Sequence, residues 1–256
     1  MSRSFLLVLP LILFMPLVTD AADVLDRFEA RVYKDEAGEL PYRLLKPKDY
    51  DPNKKYPLVV FLHGAGERGN DNKRQLVHGM ADFASDANME KYPAFVLAPQ
   101  CASGKKWCEV DWGADSHTMP EKPSQGLAAT FAVIEQLQKE LSIDPNRLYI
   151  TGLSMGGYGT WDAIQRRPDL FAAAVPICGG GDPAGAAQMK DIPIWCFHGS
   201  DDTAVKVKRS RDMIKAIESA GGKPKYTEYP GVGHNSWSRT YADPAMFAWL
   251  FSQKKS

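Results

Sequence analysis

Residues 148–157 read LYITGLSMGG. The first four residues are apolar or β-branched, which is typical of a short buried strand. The pattern G-x-S-x-G follows at once with Ser154 at its centre, and residues 155–166 predict a helix. We therefore predict a strand, a sharp turn and a helix, in which the glycines leave room for the turn and Ser154 presents its hydroxyl as a nucleophile. A serine that merely caps a glycine-rich turn is the alternative.

Short apolar runs alternate with amphipathic runs on both sides of this stretch. The run LVVFL at 58–62 ends just before Gly64, as a buried parallel strand should, and the two opening strands predict a hairpin across residues 35–38. Strands are predicted at 28–32, 40–45, 58–62, 95–98, 148–151, 172–177, 194–197 and 226–229, and helices at 124–141, 155–166, 206–220 and 241–251. This alternation predicts an α/β fold with a mostly parallel central sheet of about eight strands and helices on both faces.

The candidate base comes from the end of the chain. A serine hydroxyl needs a base to remove its proton, and another part of the chain must supply it. Where a strand, G-x-S-x-G and a helix follow one another, the order along the chain is serine, acid, histidine. His234 lies in the loop GVGHN directly after the last predicted strand, so it is the candidate base. His198 ends the preceding strand, and we expect it to have a structural role there.

The candidate acid follows the penultimate strand. An acid at this place orients the imidazole and stabilises its cation. The sequence HGSDDTAV at 198–205 offers two aspartates there, Asp201 and Asp202. The aspartate that does not act as the acid is expected to face solvent or to cap the loop. Asp243 lies beyond His234 and breaks the expected order.

Acyl transfer also needs donors for the negative charge that develops on the carbonyl oxygen. The backbone N–H of Met155 is one expected donor, and the backbone N–H of Ala65, in the glycine-rich loop HGAGERGND at 63–71, is the other. Such a loop could instead hold a phosphate, but it lacks the Lys-Ser/Thr ending of a P-loop. Glu67 and Arg68 are expected to form an ion pair that braces the loop.

Tryptophans near these segments are the candidates for substrate binding. Trp237 comes three residues after His234, and Trp112 lies in the long irregular connection 101–123. Either ring could stack on a sugar or on a phenolic acid, whereas ordinary aromatic packing is the alternative. Trp161 lies on the helix after Ser154 and is expected in the core.

Composition argues against several classes of protein. Lys plus Arg and Asp plus Glu number 31 each, so the formal net charge is zero and no basic surplus predicts nucleic-acid binding. The four cysteines do not have the spacing of a zinc site, and no metal is expected. They either form disulfides, Cys101 with Cys108 and Cys178 with Cys196, or remain buried thiols.

The first 22 residues have the layout of a secretory signal peptide. Arg3 precedes an almost wholly apolar run at 5–18, and the small residues Ala21 and Ala22 follow. The run is shorter than the roughly 20 residues that a membrane-spanning helix needs. We therefore expect residues 1–22 to be removed. The remainder, 23–256, is then a single catalytic domain, secreted or periplasmic, without membrane attachment.

Six segments together resemble the α/β-hydrolase superfamily, and more narrowly bacterial exported esterases. These segments are LHGAGERGND, LAPQC, TGLSMGGYGTW, PICGGGD, FHGSDDTAV and GVGHNSW. Members of this group are labelled predicted peptidases, phospholipase/carboxylesterase-like or prolyl-oligopeptidase-family proteins. The H-G-x-x-D-x-x-V spacing of related hydrolases selects Asp202 over Asp201 as the acid. The resemblance implies a triad of Ser154, Asp202 and His234, an acyl-enzyme route and no cofactor.

The expected reaction is therefore hydrolysis of carboxylic esters with small to medium acyl groups, through an acyl-enzyme formed on Ser154. The substrates expected are small-molecule esters, including esters linked to a polysaccharide. Hydrolysis of short peptides or amides by the same residues is the first alternative. A non-catalytic binding protein that keeps the fold is the second, and loss of a triad residue would be its signature.

Overall fold

All eight predicted strands lie in one sheet of the computed structural model, which describes residues 24–255. They are β1 (Glu29–Asp35), β2 (Gly38–Leu45), β3 (Tyr56–Leu62), β4 (Phe95–Pro99), β5 (Ile143–Leu153), β6 (Ala173–Ile177), β7 (Trp195–Gly199) and β8 (Lys225–Tyr229). Their order in the sheet is β1-β2-β4-β3-β5-β6-β7-β8, antiparallel from β1 to β4 and parallel from β4 to β8. The predicted fold class is confirmed. The predicted signal peptide at 1–22 lies outside the described residues.

Helices cover both faces of this sheet, as predicted. They are α1 (Met80–Ala84), α2 (Asp86–Lys91), α3 (Gln125–Glu140), α4 (Met155–Arg166), α5 (Ala186–Met189), α6 (Lys208–Ser219), α7 (Trp237–Tyr241) and α8 (Pro244–Ser252). Alternate residues of β3 enter two separate cores: Leu58 and Val60 join the core that contains residues of α3, α4 and α6, whereas Val59 and Phe61 join the core of α1 and α8. Within residues 24–255, no helix is both long and apolar enough to cross a bilayer.

The end of the chain differs from the sequence prediction. One helix was expected over 241–251, but α7 ends at Tyr241 and α8 begins at Pro244. The side chain of Asp243 accepts a hydrogen bond from the backbone N–H of Ala245 and caps α8. Proline suits the first turn of a helix because its missing N–H would have no partner there. The prediction of one continuous helix is therefore wrong.

The four cysteines are free thiols, so neither disulfide is formed. Cys101, Cys108, Cys178 and Cys196 are all buried. Burial raises the pKa of Cys101 to about 12 and that of Cys196 to about 12 as well, so both thiols stay protonated at neutral pH. Of the two alternatives, the structure favours buried thiols that pack like small apolar side chains.

Strands β3 and β5 lie at the centre of the sheet and determine where the turn at Ser154 lies. They pair in parallel, with Leu62 opposite Gly152. A Cβ on Gly156 would overlap the carbonyl oxygen of Leu62, and a Cβ on Gly152 would overlap the carbonyl oxygen of Gly156. Both glycines of G-x-S-x-G are therefore required, because backbone occupies the space that a side chain would take.

We expect Gly156→Ala to lower the free energy of unfolding by about 3 kcal/mol or more, since the methyl group forces the first turn of α4 away from β3. Gly66→Ala is the matched control, because nothing lies within 4 Å of a Cβ at that position. Urea unfolding of both variants measures the difference. Equal free energies of unfolding for the two variants would show that α4 can move away from β3 at Gly156 without loss of stability.

Candidate active site

Ser154 occupies a strained turn between β5 and α4. Its φ of 54° and ψ of −115° lie in a region that residues with a side chain rarely adopt. The backbone N–H of Ser154 donates to the carbonyl oxygen of Ile177 at 2.9 Å, which ties the turn to β6. The side chain makes no capping hydrogen bond to the helix. The alternative of a serine that serves as an N-cap is therefore wrong, and the hydroxyl is free for another partner.

That partner is His234, which lies in the loop after β8. The Nε2 atom of His234 is 2.9 Å from the Oγ of Ser154, and its Nδ1 is 2.7 Å from the Oδ2 of Asp202. An ionised carboxylate only accepts hydrogen bonds, so Nδ1 carries the proton and Nε2 is free to accept the serine hydroxyl proton. The structure thus brings together the three side chains that the sequence proposed, in the order and tautomer that proton transfer from serine requires.

Asp202 is buried and accepts hydrogen bonds on both oxygens. Oδ1 accepts from the backbone N–H groups of Ala204 and Val205, each at 2.9 Å, and Oδ2 accepts from His234 and from Nε2 of His198 at 3.1 Å. Burial alone would raise the pKa of Asp202. The hydrogen bonds from His198, His234 and the Val205 amide outweigh burial and hold the pKa of this carboxyl well below its usual range. The carboxylate is therefore charged whenever His234 can act as a base.

The competing aspartate has a different environment. Asp201 is exposed, and its Oδ1 accepts a hydrogen bond from the hydroxyl of Ser200 at 2.6 Å. Its side chain makes no hydrogen bond or ion pair with a histidine among residues 24–255. The expectation that Asp201 faces solvent agrees with this position.

His198 was expected only to pack where β7 ends. It is indeed fully buried, but its ring also donates to Asp202, a contact that the sequence reasoning missed. The signal was present: His198 and Asp202 are the first and fifth residues of H-G-x-x-D, a spacing that lets one loop turn back onto the strand end.

The two backbone donors predicted for an oxyanion lie at the ends of neighbouring strands. Ala65 and Met155 each come three residues after the paired residues Leu62 and Gly152. In the part of the chain that the structure describes, neither backbone N–H donates to a protein acceptor. Two unpaired amides, each at the start of a helical segment, can donate hydrogen bonds to a negatively charged oxygen.

The charged residues of this loop do not pair with each other. The Nε of Arg68 donates to the carbonyl oxygen of Ala65 at 2.8 Å, and its NH1 donates to that of Lys105 at 3.3 Å. Glu67 instead lies 3.6 Å from Nε2 of His78. The predicted ion pair between Glu67 and Arg68 is therefore wrong, because backbone carbonyls satisfy the guanidinium. The guanidinium of Arg68 still braces the loop, but by donating to main-chain carbonyl oxygens.

His63 fixes the peptide that carries the Ala65 N–H. Its Nδ1 donates to the carbonyl oxygen of Gly64 at 2.6 Å, and its Nε2 accepts from the backbone N–H of Cys101 at 2.9 Å. The Gly64 carbonyl and the Ala65 N–H belong to one planar peptide unit, so the histidine orients both. Burial lowers the pKa of His63 to about 4, which keeps the ring neutral and able to accept from Cys101.

The two tryptophans proposed for substrate binding lie near the base and near the loop that carries Asp202. The ring of Trp237 lies edge-on to that of His234, with centroids 5.2 Å apart. Trp112 contacts Tyr158 of α4 at a centroid distance of 6.5 Å and lies against a cluster that includes Val205, in the loop that carries Asp202. Trp161 is fully buried in the core, as expected.

One group of side chains could in principle hold a metal ion. Cys178, Asp202 and His234 offer ligand atoms within 4.8 Å of one another. Burial raises the pKa of the Cys178 thiol, whereas a metal needs the thiolate. Asp202 and His234 already share a hydrogen bond of 2.7 Å. The chemistry of these donors fits proton transfer better than coordination.

A family model described as phospholipase/carboxylesterase matches residues 50–248. The chain belongs to this family. It is a carboxylesterase-type α/β-hydrolase, and the resemblance inferred from the sequence segments is confirmed.

Several of the similar proteins are named as esterases. A thermostable esterase of known structure is 47% identical, with a TM-score of 0.85, and the match covers 91% of this chain and 64% of that one. A bifunctional acetylxylan esterase/xylanase of Neocallimastix patriciarum is 26% identical over 80% of this chain and 29% of its own length. A probable feruloyl esterase C of Aspergillus niger is 25% identical over 78% of this chain and 68% of its own. This chain thus spans less than two thirds of the first two relatives.

The burial of His63 predicts a loss of stability on mild acidification. Its pKa of about 4 lies below the ordinary value of 6.5. The stability that the neutral ring of His63 contributes is therefore fully present above pH 6.5 and is lost as the pH falls towards 4. We expect His63 to account for about 2 kcal/mol of the decrease in the free energy of unfolding between pH 7 and pH 5. Urea unfolding at both pH values measures it.

His63→Gln separates this contribution from that of His117, whose pKa burial also lowers to about 4. The variant should be less stable than wild type at pH 7 but should lose less stability on going to pH 5. The same loss in variant and wild type would show that His63 does not titrate in this range.

Proposed function

We propose that this protein is a serine esterase that hydrolyses carboxylic esters of small to medium acyl groups through an acyl-enzyme on Ser154. The observation that carries the proposal is the continuous hydrogen-bonded series from Ser154 Oγ through His234 to Asp202, at 2.9 Å and 2.7 Å. Proton removal by a base in this position is what makes a serine hydroxyl nucleophilic near neutral pH.

In the first half of the reaction, Ser154 Oγ attacks the ester carbonyl carbon while His234 Nε2 takes the hydroxyl proton. The carbonyl oxygen becomes negatively charged and lies between the N–H groups of Ala65 and Met155. Asp202 stabilises the imidazolium that forms. The imidazolium then gives its proton to the leaving alcohol oxygen, the carbon–oxygen bond breaks, and the acyl group remains on Ser154.

In the second half, water replaces the alcohol. His234 removes a proton from the water molecule, which attacks the acyl-enzyme carbonyl at the same carbon. The same two amides donate hydrogen bonds to the oxyanion, and the imidazolium returns the proton to Ser154 as the carboxylic acid leaves. No cofactor is needed, because every proton removed by His234 is returned within the cycle.

The substrates we propose are esters on plant polysaccharide, such as acetyl or phenolic-acid esters. The names of two relatives, acetylxylan esterase/xylanase and feruloyl esterase, support this class. Trp237 lies beside the base and Trp112 packs against the cluster that includes Val205 of the acid loop, and both rings are half-buried, with partly exposed aromatic faces. Such faces suit a sugar ring or a phenolic ring.

An export address fits substrates of this kind. We propose that residues 1–22 are a signal peptide, that residues 23–256 fold as one catalytic domain, and that the protein acts outside the cytoplasm or in the periplasm. A substrate attached to an insoluble polysaccharide lies outside the cell, so the enzyme must reach it there.

Substitution of the proposed triad tests the reaction. Ser154→Ala and His234→Ala should each reduce kcat for p-nitrophenyl acetate to near background, because the three residues act as one unit. By analogy with the serine-protease triad, Asp202→Asn should cost about 10⁴-fold in kcat. Asp201→Asn is the matched control and should leave kcat unchanged. An active Asp202→Asn beside an inactive Asp201→Asn would overturn the choice of acid.

Two tryptophan variants test the substrate class. Trp112→Ala and Trp237→Ala should each raise KM for methyl ferulate by about tenfold, because stacking on the phenolic ring is lost. KM for p-nitrophenyl acetate, measured in parallel, should change less since the acetyl group is too small to stack. Activity on short peptides with none on any ester would instead favour the peptidase alternative.

A further inference from the structure

A second histidine contacts the carboxylate of Asp202. His198 lies on β7 and is fully buried, and its Nε2 is 3.1 Å from Asp202 Oδ2 and 3.0 Å from the carbonyl oxygen of Val205. An ionised carboxylate and a backbone carbonyl both only accept hydrogen bonds. Nε2 must therefore carry a proton that it shares between these two oxygens.

The other nitrogen of the ring has a partner on a different element. Nδ1 of His198 is 2.7 Å from the hydroxyl oxygen of Ser210, which is fully buried on α6. The thiol of Cys196 lies 3.3 Å from the same oxygen and can donate to it. The hydroxyl of Ser210 has two acceptors within reach, Nδ1 of His198 at 2.7 Å and the carbonyl oxygen of Gly179 at 3.4 Å. We take it to donate to Nδ1, the nearer of the two, so that the protons of Cys196, Ser210 and His198 all point towards Asp202. This arrangement fits a neutral ring protonated at Nε2 only.

We propose that His198 is a positioning residue of this site, which shares Oδ2 of Asp202 with His234 and so sets how strongly the carboxylate attracts the base. Ser210 fixes the tautomer that makes this possible. The inference rests on the proposed function, because it concerns the same triad. With His198 and His234 both donating to Oδ2, each hydrogen bond is weaker than it would be alone. The two hydrogen bonds together also prevent the carboxylate from rotating away from His234.

Several other titratable groups lie near this pair. Cys178 lies on the side of His234, Tyr158 faces Asp202 from α4, and Glu228 lies opposite His198 in the register of β8. Cys196 lies on β7 itself. These groups stay in place in the variants below, so a change in pH dependence is assigned to His198.

The pH dependence of kcat/KM for p-nitrophenyl acetate separates positioning from packing. In His198→Phe the Oδ2 atom keeps only His234, so the imidazolium is held more strongly and the base becomes active at higher pH. We expect the acidic limb of the profile to move up by roughly half a pH unit. We also expect kcat/KM to fall by about tenfold or more, because the carboxylate is then free to rotate away from His234. His198→Gln retains a donor N–H and should return the limb towards its wild-type position.

A fall in kcat/KM with an unmoved acidic limb, or a His198→Gln variant that behaves like His198→Phe, would overturn the proposal in favour of simple packing. Should His198→Phe not fold, imidazole ¹⁵N NMR of the wild-type protein decides. A neutral His198 protonated at Nε2 supports the proposal, whereas a proton on Nδ1 overturns it.

These readouts also distinguish the two proposals. Wild-type protein without activity on any ester would contradict the proposed function, while the NMR measurement would still report the contact between His198 and Asp202. An active wild type with an unchanged His198→Phe profile would contradict only the role of His198.

Discussion

The contact between the first turn of α4 and the end of β3 is the constraint on which the site depends. With no side chain at Gly156, the helix lies directly against the carbonyl of Leu62. That contact fixes the position of Ser154 relative to the ends of β3 and β5. It also brings the N–H of Met155 towards the N–H of Ala65, since each follows one of two paired strand ends. Backbone packing at Gly156 thus positions the N–H of Met155, whereas the ring of His63 orients the peptide that carries the N–H of Ala65.

The positions of the acid and the base depend on a similar close contact between backbone segments, here between the loops after β7 and β8. A Cβ on Gly199 would overlap the carbonyl oxygens of Val232 and Gly233, so glycine lets the loop after β7 lie against the loop after β8. Asp202 and His234 come from these two loops. The short distance between them follows from the parallel pairing of adjacent strands, and burial of the carboxylate is tolerated because four donors satisfy it.

The sequence predicted what depends on local pattern and chain order. Ser154, Asp202 and His234 each follow a strand, and parallel strands end at the same edge, so their meeting could be expected. Contacts that depend on side-chain direction could not. Arg68 turns to the carbonyl of Ala65 instead of to Glu67, a choice that neighbouring charges in the sequence cannot reveal. The break before α8 was missed because apolar periodicity outweighed the signal of Pro244.

One His-Gly pair lies at the end of β3 and another at the end of β7. The two histidines have similar roles, but the nitrogen that donates and the nitrogen that accepts are exchanged between them. His63 at the end of β3 donates through Nδ1 to the peptide that carries the Ala65 N–H, and accepts at Nε2. His198 on β7 donates through Nε2 to Asp202 and accepts at Nδ1. Burial lowers the pKa of His63 to about 4 and so keeps that ring neutral. A buried histidine can therefore fix an acceptor on one side and a donor on the other, and after His198 the glycine at 199 also lets the loop after β8 approach.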